Sequence, residues 1–445
     1  MMRPTLKTVL WIVALNMLAI QKPLYAIDLS SIIKASEAED AQIINGLESI
    51  KNTDQRLIEL KKWIKPNISI GYNLAKNHSH LRGIPGINPN SSIHTSNSIN
   101  FNISQSLYDP FRKANIQEAA AQLNYEATQL GATQNDNAIR ILQLIFDIAM
   151  SGDLINLQQK EVDNINHHLN KIQSNPRARS EFINYEIRLI QAQANVSQAI
   201  ASLRQNSREF AKLTGGKLAI VKFNAETKID LQNILITDSL ELLLSKIDMN
   251  NFELMQQAHN LKLAEIRAKR FDRENYPSVS FGINSSISAG APDYSSLLAS
   301  SSTASIQINI PLSNGGESKS IRTEALSVLS RASNDLQITK KSVQSRLSDL
   351  FFELSNNLEQ IKLHKKILDN QLKIKDLSTK ENSDDESGIQ LSASMLEAES
   401  SIINTRQSII RFERDAIVAW VKLKGMTSEI DSSELLSLSK LLIAQ

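Results

Sequence analysis

The residues that most resemble metal-binding or phosphate-binding groups do not combine into a site. His78 and His80, with His94, could ligate a metal ion, but their segment is rich in turn residues and offers no clear fourth ligand. The glycine pairs at 215–216 and 315–316 are better explained as a helix end and a strand-to-helix turn than as phosphate-binding loops. The other histidines fall in helical segments with no partner visible in sequence: His167, His168, His259 and His364.

Serine is common, yet no Gly-x-Ser-x-Gly motif occurs. Cysteine is absent, which excludes disulfides, thiolate ligands, a cysteine nucleophile and a lipid-modified cysteine. The formal net charge of +2 over 445 residues gives no global reason to expect a nucleic-acid partner. The sequence therefore predicts no catalytic residue, no metal and no cofactor, so we do not expect an enzyme.

Residues 1–26 have the features of a secretory signal peptide. Arg3 and Lys7 precede an apolar run from Val9 to Ile20, and a cleavage point follows Ala26. The run is short for a membrane span, so an N-terminal anchor is the less favoured interpretation. Because no later segment approaches the length of a transmembrane helix, strands would have to carry any passage through a bilayer.

Four stretches alternate apolar residues with uncharged polar residues, which predicts strands. They form two pairs, PNISIGYN with SINFNIS and PSVSFGIN with SIQINIPL, expected as hairpins at about 66–107 and about 277–312. Turn-rich stretches at 78–92 and 288–302 are expected to be the loops. The predicted apolar, lipid-facing side consists of Ile68, Ile70, Tyr72, Ile99, Phe101, Ile103, Val279, Phe281, Ile283, Ile306, Ile308 and Ile310.

A soluble antiparallel sheet shows the same alternation. The membrane interpretation is favoured because the strands are near the length of about 9 to 11 residues that crosses a bilayer, and no partner sheet is visible. Four strands cannot close a barrel, which needs about eight, whereas three copies would supply twelve. The alternative is an exported soluble coiled-coil interaction protein whose hairpins form a small sheet.

The remainder is predicted to form long helices, since glycine (14) and proline (10) are scarce. Apolar residues recur at intervals of three and four from Val343 to Ile361 and again from Ile139 to Ile172. Neither Gly nor Pro occurs between 317 and 387, a stretch that would make a helix of about 100 Å.

The sequence repeats itself, because Pro66 corresponds to Pro277 and Gly215 to Gly425. Each copy is predicted to contain a helix, a strand hairpin and a long helical hairpin. The predicted division is a signal peptide at 1–26, a first repeat at 27–216, a linker at 217–237, a second repeat at 238–426 and a C-terminal tail at 427–445 that forms a short amphipathic helix.

These features resemble the TolC-like outer membrane efflux proteins over essentially the whole mature chain. The resemblance rests on LKLAEIRAKRFDRENYPSVSFGIN, on the hairpin exits NIPLSNGGESKSIRTEA and NISQSLYDPFRKANIQEAAAQL, and on the closing VAWVKLKG. It implies an α+β membrane protein, a homotrimer whose twelve-stranded β-barrel spans the outer membrane of a Gram-negative bacterium and continues into a periplasmic barrel of helices.

The resemblance also implies partners and a cargo. The expected partners are outer membrane lipid, a periplasmic adaptor protein and an inner-membrane pump or ABC transporter. The exported cargo would be small molecules such as drugs and toxic compounds, or secreted proteins, as in type I secretion.

The resemblance places a periplasmic gate at the two helix reversals. Relatives often carry an Asp where Glu181 stands, whereas Leu391 occupies the position at which some relatives have constriction acids. We expect arginines of one reversal to pair with acids of the adjacent one. The candidates are Arg177, Arg179, Glu181, Asp384, Asp385 and Glu386. Alternatively these are solvated turn charges, whose exposed pairs contribute about 0 to 1 kcal/mol each.

Overall fold

The structure is a computed structural model that describes residues 28–62, 65–80, 91–172, 179–216, 221–223, 231, 235, 238–271, 276–291, 294–312, 317–381 and 388–444. The predicted signal peptide lies outside these residues.

The same order of elements, two helices, two strands and two long helices, occurs in both halves of the chain. In the first half these are α1 Leu29–Glu39, α2 Ala41–Lys61, β1 Asn67–His80, β2 Ser91–Tyr108, α3 Arg112–Ile172 and α4 Arg179–Leu213. A short strand, β3 Val221–Phe223, follows. The second half contains α5 Leu240–Asn250, α6 Phe252–Arg270, β4 Ser278–Ala291, β5 Tyr294–Asn309, α7 Glu317–Glu381 and α8 Gly388–Met426, and the chain closes with α9 Ser432–Ser439 and β6 Leu442–Ala444. The predicted duplication of the fold is confirmed, while the repeat boundaries stay a prediction.

Local sequence signals account for several helix ends. The Asp28 side chain caps α1 by accepting hydrogen bonds from the backbone N–H groups of Ser30 and Ser31. At the end of α4, Gly215 and Gly216 have φ values of +65° and +85°, a conformation that favours glycine. The glycine pair is thus part of a helix end, as expected from the sequence.

Strands β1, β2, β4 and β5 form one antiparallel sheet in the order β1-β2-β4-β5. The register aligns the predicted apolar positions across all four strands: Ile68 is opposite Ile103, Ile103 is opposite Ile283, and Ile283 is opposite Ala304. Side chains of strands alternate between faces, so the predicted apolar residues of the strands share one face of the sheet.

The predicted loops at 78–92 and 288–302 are longer than the connections in the structure. The strands contain 14, 18, 14 and 16 residues, and they extend through His78, which pairs with Ile93, and through Ser302, which pairs with Ser285. The hydroxyl oxygens of Ser285 and Ser302 are 2.9 Å apart. Cross-strand backbone pairing and such hydroxyl contacts support strand structure in a Ser-, Ala- and Gly-rich stretch that the sequence suggested was a loop.

The chain forms two compact units, and each takes segments from both halves of the sequence. One comprises Met1–Leu47, Thr128–Met255 and Thr339–Gln445, and the other comprises Glu48–Ala127 and Gln256–Ile338 and contains the four-stranded sheet. The sequence repeats are therefore not separate compact bodies.

The first unit has a helical core around Trp420, which is 2% exposed, together with Phe146 and Phe210. The predicted seam of α7 is buried, since Val343, Leu347, Leu354 and Ile361 are at most 5% exposed. A second cluster joins α3 to α4 through Val162, Ile165, Leu169, Tyr185 and Ala192. The predicted coiled-coil packing is confirmed in these helices.

The C-terminal tail differs from its prediction as a helix alone. Helix α9 buries Leu435 and Leu438, and β6 pairs with β3 in a two-stranded sheet. Strand β3 lies in the segment predicted to be a linker. Two strands of three residues each carry too little pattern to be identified without their pairing partner.

No helix among the described residues has the length and apolar character needed to cross a membrane.

An ion-pair network joins α5 to the residues that precede it and to the segment that follows α8. The Lys246 ammonium lies 2.6 Å from an Asp238 carboxylate oxygen and 2.7 Å from one of Glu429. These hydrogen bonds, to Asp238 first and then to Glu429, raise the pKa of Lys246 to about 12. The hydrogen bond from Lys246 lowers the pKa of Asp238. Burial opposes ionisation of Glu429, but its bond from Lys246 and the nearby Lys424 charge outweigh burial and lower its pKa.

We expect Lys246→Met to lower the melting temperature at neutral pH. The difference from the unsubstituted protein should shrink as the pH falls below about 4, where the carboxylates become protonated, and as the pH rises from the ordinary lysine pKa of 10.5 through the folded-state pKa of about 12, where the lysine loses its proton. Thermal unfolding of detergent-purified protein across pH measures this difference. Lys51→Met is the control, because Lys51 makes an exposed pair with Glu48 at 3.7 Å. A difference in melting temperature that does not change with pH would contradict the stabilising role of the Lys246 ion pairs.

Candidate functional site

The face of the sheet opposite the apolar one is lined by small, uncharged polar side chains. One cross-strand row consists of Ser69, Asn102, Asn284 and Thr303, and the next consists of Gly71, Asn100, Ser286 and Ser301. Amides and hydroxyls bind water through both donors and acceptors. This face can therefore line a hydrated passage without selecting strongly for charge.

The apolar face is exposed in the single chain. Ile70 is 76% exposed, and seven more of the predicted positions are also exposed: Ile68, Tyr72, Ile99, Phe101, Ile306, Ile308 and Ile310. Ile103, Val279, Phe281 and Ile283 are partly buried, and Ile310 lies one residue beyond β5. An apolar area of this extent is unusual on a soluble monomer and indicates contact with lipid or protein. Lipid contact itself stays a prediction.

The sheet has two edge strands, β1 and β5. Each successive pairing in the sheet is antiparallel, so β1 and β5 run in opposite directions. Edge strands present backbone donors and acceptors to whatever lies beside them. In a bilayer such an edge has to be paired, because lipid offers no hydrogen bonds.

A polar cluster, here called the clamp, links the two helical hairpins of the chain. His168 Nε2 of α3 lies 3.6 Å from Glu399 Oε2 of α8, and Lys375 Nζ of α7 lies 2.8 Å from Glu399 Oε1. The His168 ring also stacks on Tyr185 of α4, with centroids 6.1 Å apart. All four helices thus contribute to the clamp. His168 and Glu399 side chains are 12% and 15% exposed, so the imidazole and the carboxylate meet where solvent screening is weak.

A second link between the hairpins is the Arg414 guanidinium of α8. Its Nε donates to Asp147 of α3 at 2.5 Å, and its Nη1 donates to Asp415 at 2.8 Å. Burial disfavours the charge, yet the two carboxylates outweigh burial and raise the pKa of Arg414. Because Asp147 is 14% exposed, removing one partner would leave a nearly buried charge, a change that typically costs about 3 to 5 kcal/mol.

A polar cavity of about 540 Å³ lies among the same four helices. Glu161 and Arg188 line one part, and His364, Asn404 and Thr405 line another. Burial raises the pKa of Glu161, although the Arg188 charge partly offsets this. The cavity is lined mainly by polar groups that bind water.

The described part of the structure does not test the predicted gate residues. Arg177, Asp384, Asp385 and Glu386 lie outside the described residues. Arg179 and Glu181 belong to the start of α4, but their side chains are outside the described set. The gate at the helix reversals therefore stays a prediction.

The described residues contain no group of three or more His, Asp or Glu side chains that could hold a metal ion. His78 is exposed on β1, and the side chains of His80 and His94 lie outside the described set. The clamp is the main feature that sequence reasoning missed. His168 was visible only as a helical histidine, since Glu399 of α8 is far away in the chain and Tyr185 lies on a different helix.

Comparison with known proteins identifies the class. Residues 243–429 match the family model described as outer membrane efflux protein. No curated protein sequence matches the chain.

Solved structures share the fold over most of the chain. A membrane protein from Pseudomonas aeruginosa is 12% identical with a TM-score of 0.75, covering 91% of each chain. The outer membrane protein VceC from Vibrio cholerae is 11% identical with a TM-score of 0.67, covering 88% of this chain and 95% of that one. The outer membrane channel MtrE of Neisseria gonorrhoeae, solved in its open state, is 13% identical with a TM-score of 0.62, covering 88% of this chain and 89% of that one.

The fold is shared with solved outer membrane channels. Residues 243–429 match the outer membrane efflux protein family model, so the resemblance seen in the sequence is confirmed for that segment. The members of this family are transport channels without enzymatic activity. The outer membrane location of the named relatives agrees with the location expected from the sequence.

Proposed function

We propose that the chain is one subunit of a homotrimeric exit duct in the outer membrane of a Gram-negative bacterium. The observation that carries the proposal is the sheet, which has one exposed apolar face, one uncharged polar face and two edge strands. Placed in a bilayer, the apolar face would contact lipid and the polar face would line water. Each edge would be paired by the edge of another copy.

The direction of the strands allows neighbouring copies to close a barrel. Because β5 runs antiparallel to β1, β5 of one copy can continue the sheet through β1 of the next in the same antiparallel pattern. Two copies would give eight strands and three would give twelve. The threefold assembly is favoured by the resemblance to the TolC-like family.

The duct would act by permeation and needs no chemical step. Its uncharged polar lining suits a broad range of cargo, such as drugs and toxic compounds, or secreted proteins. An inner-membrane pump or ABC transporter would supply the energy, and a periplasmic adaptor would join it to the duct. The soluble coiled-coil alternative would leave the apolar sheet face exposed to water, which disfavours it.

The gate is proposed at the helix reversals, where Arg177 and Arg179 would pair with Asp384, Asp385 or Glu386 of the adjacent reversal. The clamp supports this proposal, because His168, Glu399 and Lys375 already join one hairpin to the other near the beginning of α4 and the end of α7. Releasing these contacts would let the hairpins separate.

The proposal is tested by conductance in planar bilayers. We expect the detergent-purified protein to have the mass of three copies and to form water-filled channels. A protein of this mass that never inserts, or a monomer without channels, would refute the duct.

Opposite faces of β2 should respond differently to the same substitution. Phe101→Lys places a charge on the proposed lipid face and should reduce assembled trimer in membranes, at a cost of about 2 to 4 kcal/mol per copy near the bilayer centre. Asn102→Lys, on the neighbouring position of the polar face, should assemble normally. The yield of trimer in the membrane fraction measures both, and equal loss in the two variants would rule out the assignment of faces.

Weakening the gate should raise conductance. The double change Arg177→Glu with Arg179→Glu removes the proposed pairs at the reversals, and Glu399→Gln removes the carboxylate of the clamp. Both should increase single-channel conductance or the leakage of antibiotics into cells. Glu359→Gln is the control, because Glu359 is exposed and its carboxylate lies 3.9 Å from Lys362 of the same helix. Unchanged conductance in the double variant would rule out a gate at the helix reversals.

A further inference from the structure

One residue of the four-stranded sheet carries a full charge. Lys76 of β1 is the only Lys, Arg, Asp or Glu residue in the described strands β1, β2, β4 and β5. Its side chain is exposed, and these strands contain no carboxylate that could neutralise it. Because an ammonium group facing lipid is costly unless it reaches a polar partner, the position of Lys76 points to such a partner.

Lys76 lies on the apolar face of the sheet, at one end of the apolar run. Side chains of a strand alternate between faces, so Lys76 shares a face with Ile68, Ile70, Tyr72 and Leu74. Those four side chains are 58% to 76% exposed. On β1 the apolar face therefore ends after Leu74 and continues with a cation.

Polar side chains of β2 accompany Lys76 on this face. Thr95 is directly opposite Lys76, and Asn97 is directly opposite Leu74. Both are exposed, as is His78, which follows on the same face of β1. Directly opposed residues of an antiparallel pair have Cβ atoms about 4.5 to 5.5 Å apart. Lys76, His78, Thr95 and Asn97 thus form one polar area, here called the rim patch.

The rim patch lies where the outer surface of a bilayer would meet the sheet. From Ile68 to Lys76 the strand advances about 26 Å, at about 3.3 Å per residue. With a strand tilt of about 40°, this is about 20 Å along the membrane normal, close to the height of about 25 Å of the apolar band of a membrane barrel. The lysine stem adds reach, since such side chains extend their charged end to the interface.

The opposite end of the sheet has the features of the other membrane boundary. Tyr108 at the end of β2 and Tyr276 before β4 are 47% and 50% exposed. Exposed tyrosines are typical of a membrane interface. Helices α2, α3, α6 and α7 join the strands at this end. In the proposed duct these helices are periplasmic, so the rim patch belongs to the outer leaflet.

We propose that the rim patch binds the phosphorylated sugar headgroup of lipopolysaccharide, the lipid of the outer leaflet. The inference rests on the proposed function, which places the sheet in the outer membrane. The Lys76 ammonium would bind a phosphate group as a point charge. The Thr95 hydroxyl and the Asn97 amide can donate to phosphate or sugar oxygens, and an imidazole N–H of His78 can do the same.

The patch stands beside the junction between copies in the proposed duct. Strand β1 is an edge of the sheet, and its neighbour in the assembly would be β5 of the next copy. Strand β5 is rich in serine and alanine, whose small side chains leave room for a headgroup next to Lys76. Each copy would therefore hold one lipid at its junction with the next.

Binding of lipid A, the phosphorylated headgroup and acyl chains of lipopolysaccharide, tests the site. The full-length protein, purified in detergent and freed of lipid, is titrated with diphosphoryl lipid A while native mass spectrometry counts the bound lipids. We expect one lipid per copy. Lys76→Gln should weaken binding at least about tenfold, because a charge-assisted contact to phosphate is lost. Lys76→Arg keeps the charge and should retain binding.

The matched control is Lys113→Gln. Lys113 is an exposed lysine at the start of α3, by the end of the sheet opposite the rim patch. Its replacement removes the same charge and should leave the affinity for lipid A unchanged. Equal weakening in Lys76→Gln and Lys113→Gln would show general attraction to charge and would overturn the site.

Two competing ligands identify the source of the phosphate. Inorganic phosphate at the concentration of the lipid should not displace lipid A. Phosphatidylglycerol, which has a phosphate but no sugar headgroup, should bind at least about tenfold more weakly, because it lacks the sugar oxygens that Thr95 and Asn97 would contact. Displacement by either ligand as effective as that by lipid A itself would overturn the assignment to lipopolysaccharide.

The oligomeric mass separates the rim patch from the duct. A trimer that binds lipid A equally well with and without Lys76 would reject the patch and leave the duct intact. A single-copy mass would reject the duct and, with it, the patch.

Discussion

The backbone hydrogen bonds of the sheet edges constrain how this chain can be used. Strands β1 and β5 bound a sheet whose apolar face is open on a single copy. Inside a bilayer an unpaired edge would cost several kcal/mol for each group without a partner. The antiparallel order lets β5 of one copy pair with β1 of the next, so association satisfies the edges and closes the sheet in the same step.

The other parts of the molecule are consistent with such an assembly. Asn, Ser and Thr side chains on the inner face would keep the passage wet, while the long helices of each repeat would extend it outside the membrane. The clamp of His168, Glu399 and Lys375 holds the two hairpins of a chain in one arrangement.

Local patterns were sufficient to predict the duplicated element order, the faces of the strands and the buried seam of α7, because periods of two and of about 3.5 are properties of neighbouring residues. Features that depend on distant residues were missed. The pairing of β3 with β6 and the contact between His168 and Glu399 join segments that no local pattern connects. Ser300 to Ser302 were assigned to a loop because their strand structure comes from pairing with β4. The gate residues Arg177 and Asp384 lie outside the described residues, so that prediction still rests on the resemblance.

The central claim is that one face of the sheet meets lipid and the other meets water. Single cysteines at positions 99 to 103 of β2, introduced one at a time and reconstituted into liposomes, test it with a charged thiol reagent that cannot cross membranes. We expect alternation, with the Asn100 and Asn102 positions labelled and the Ile99, Phe101 and Ile103 positions protected. Equal labelling of all five positions would contradict it and would place the sheet in water.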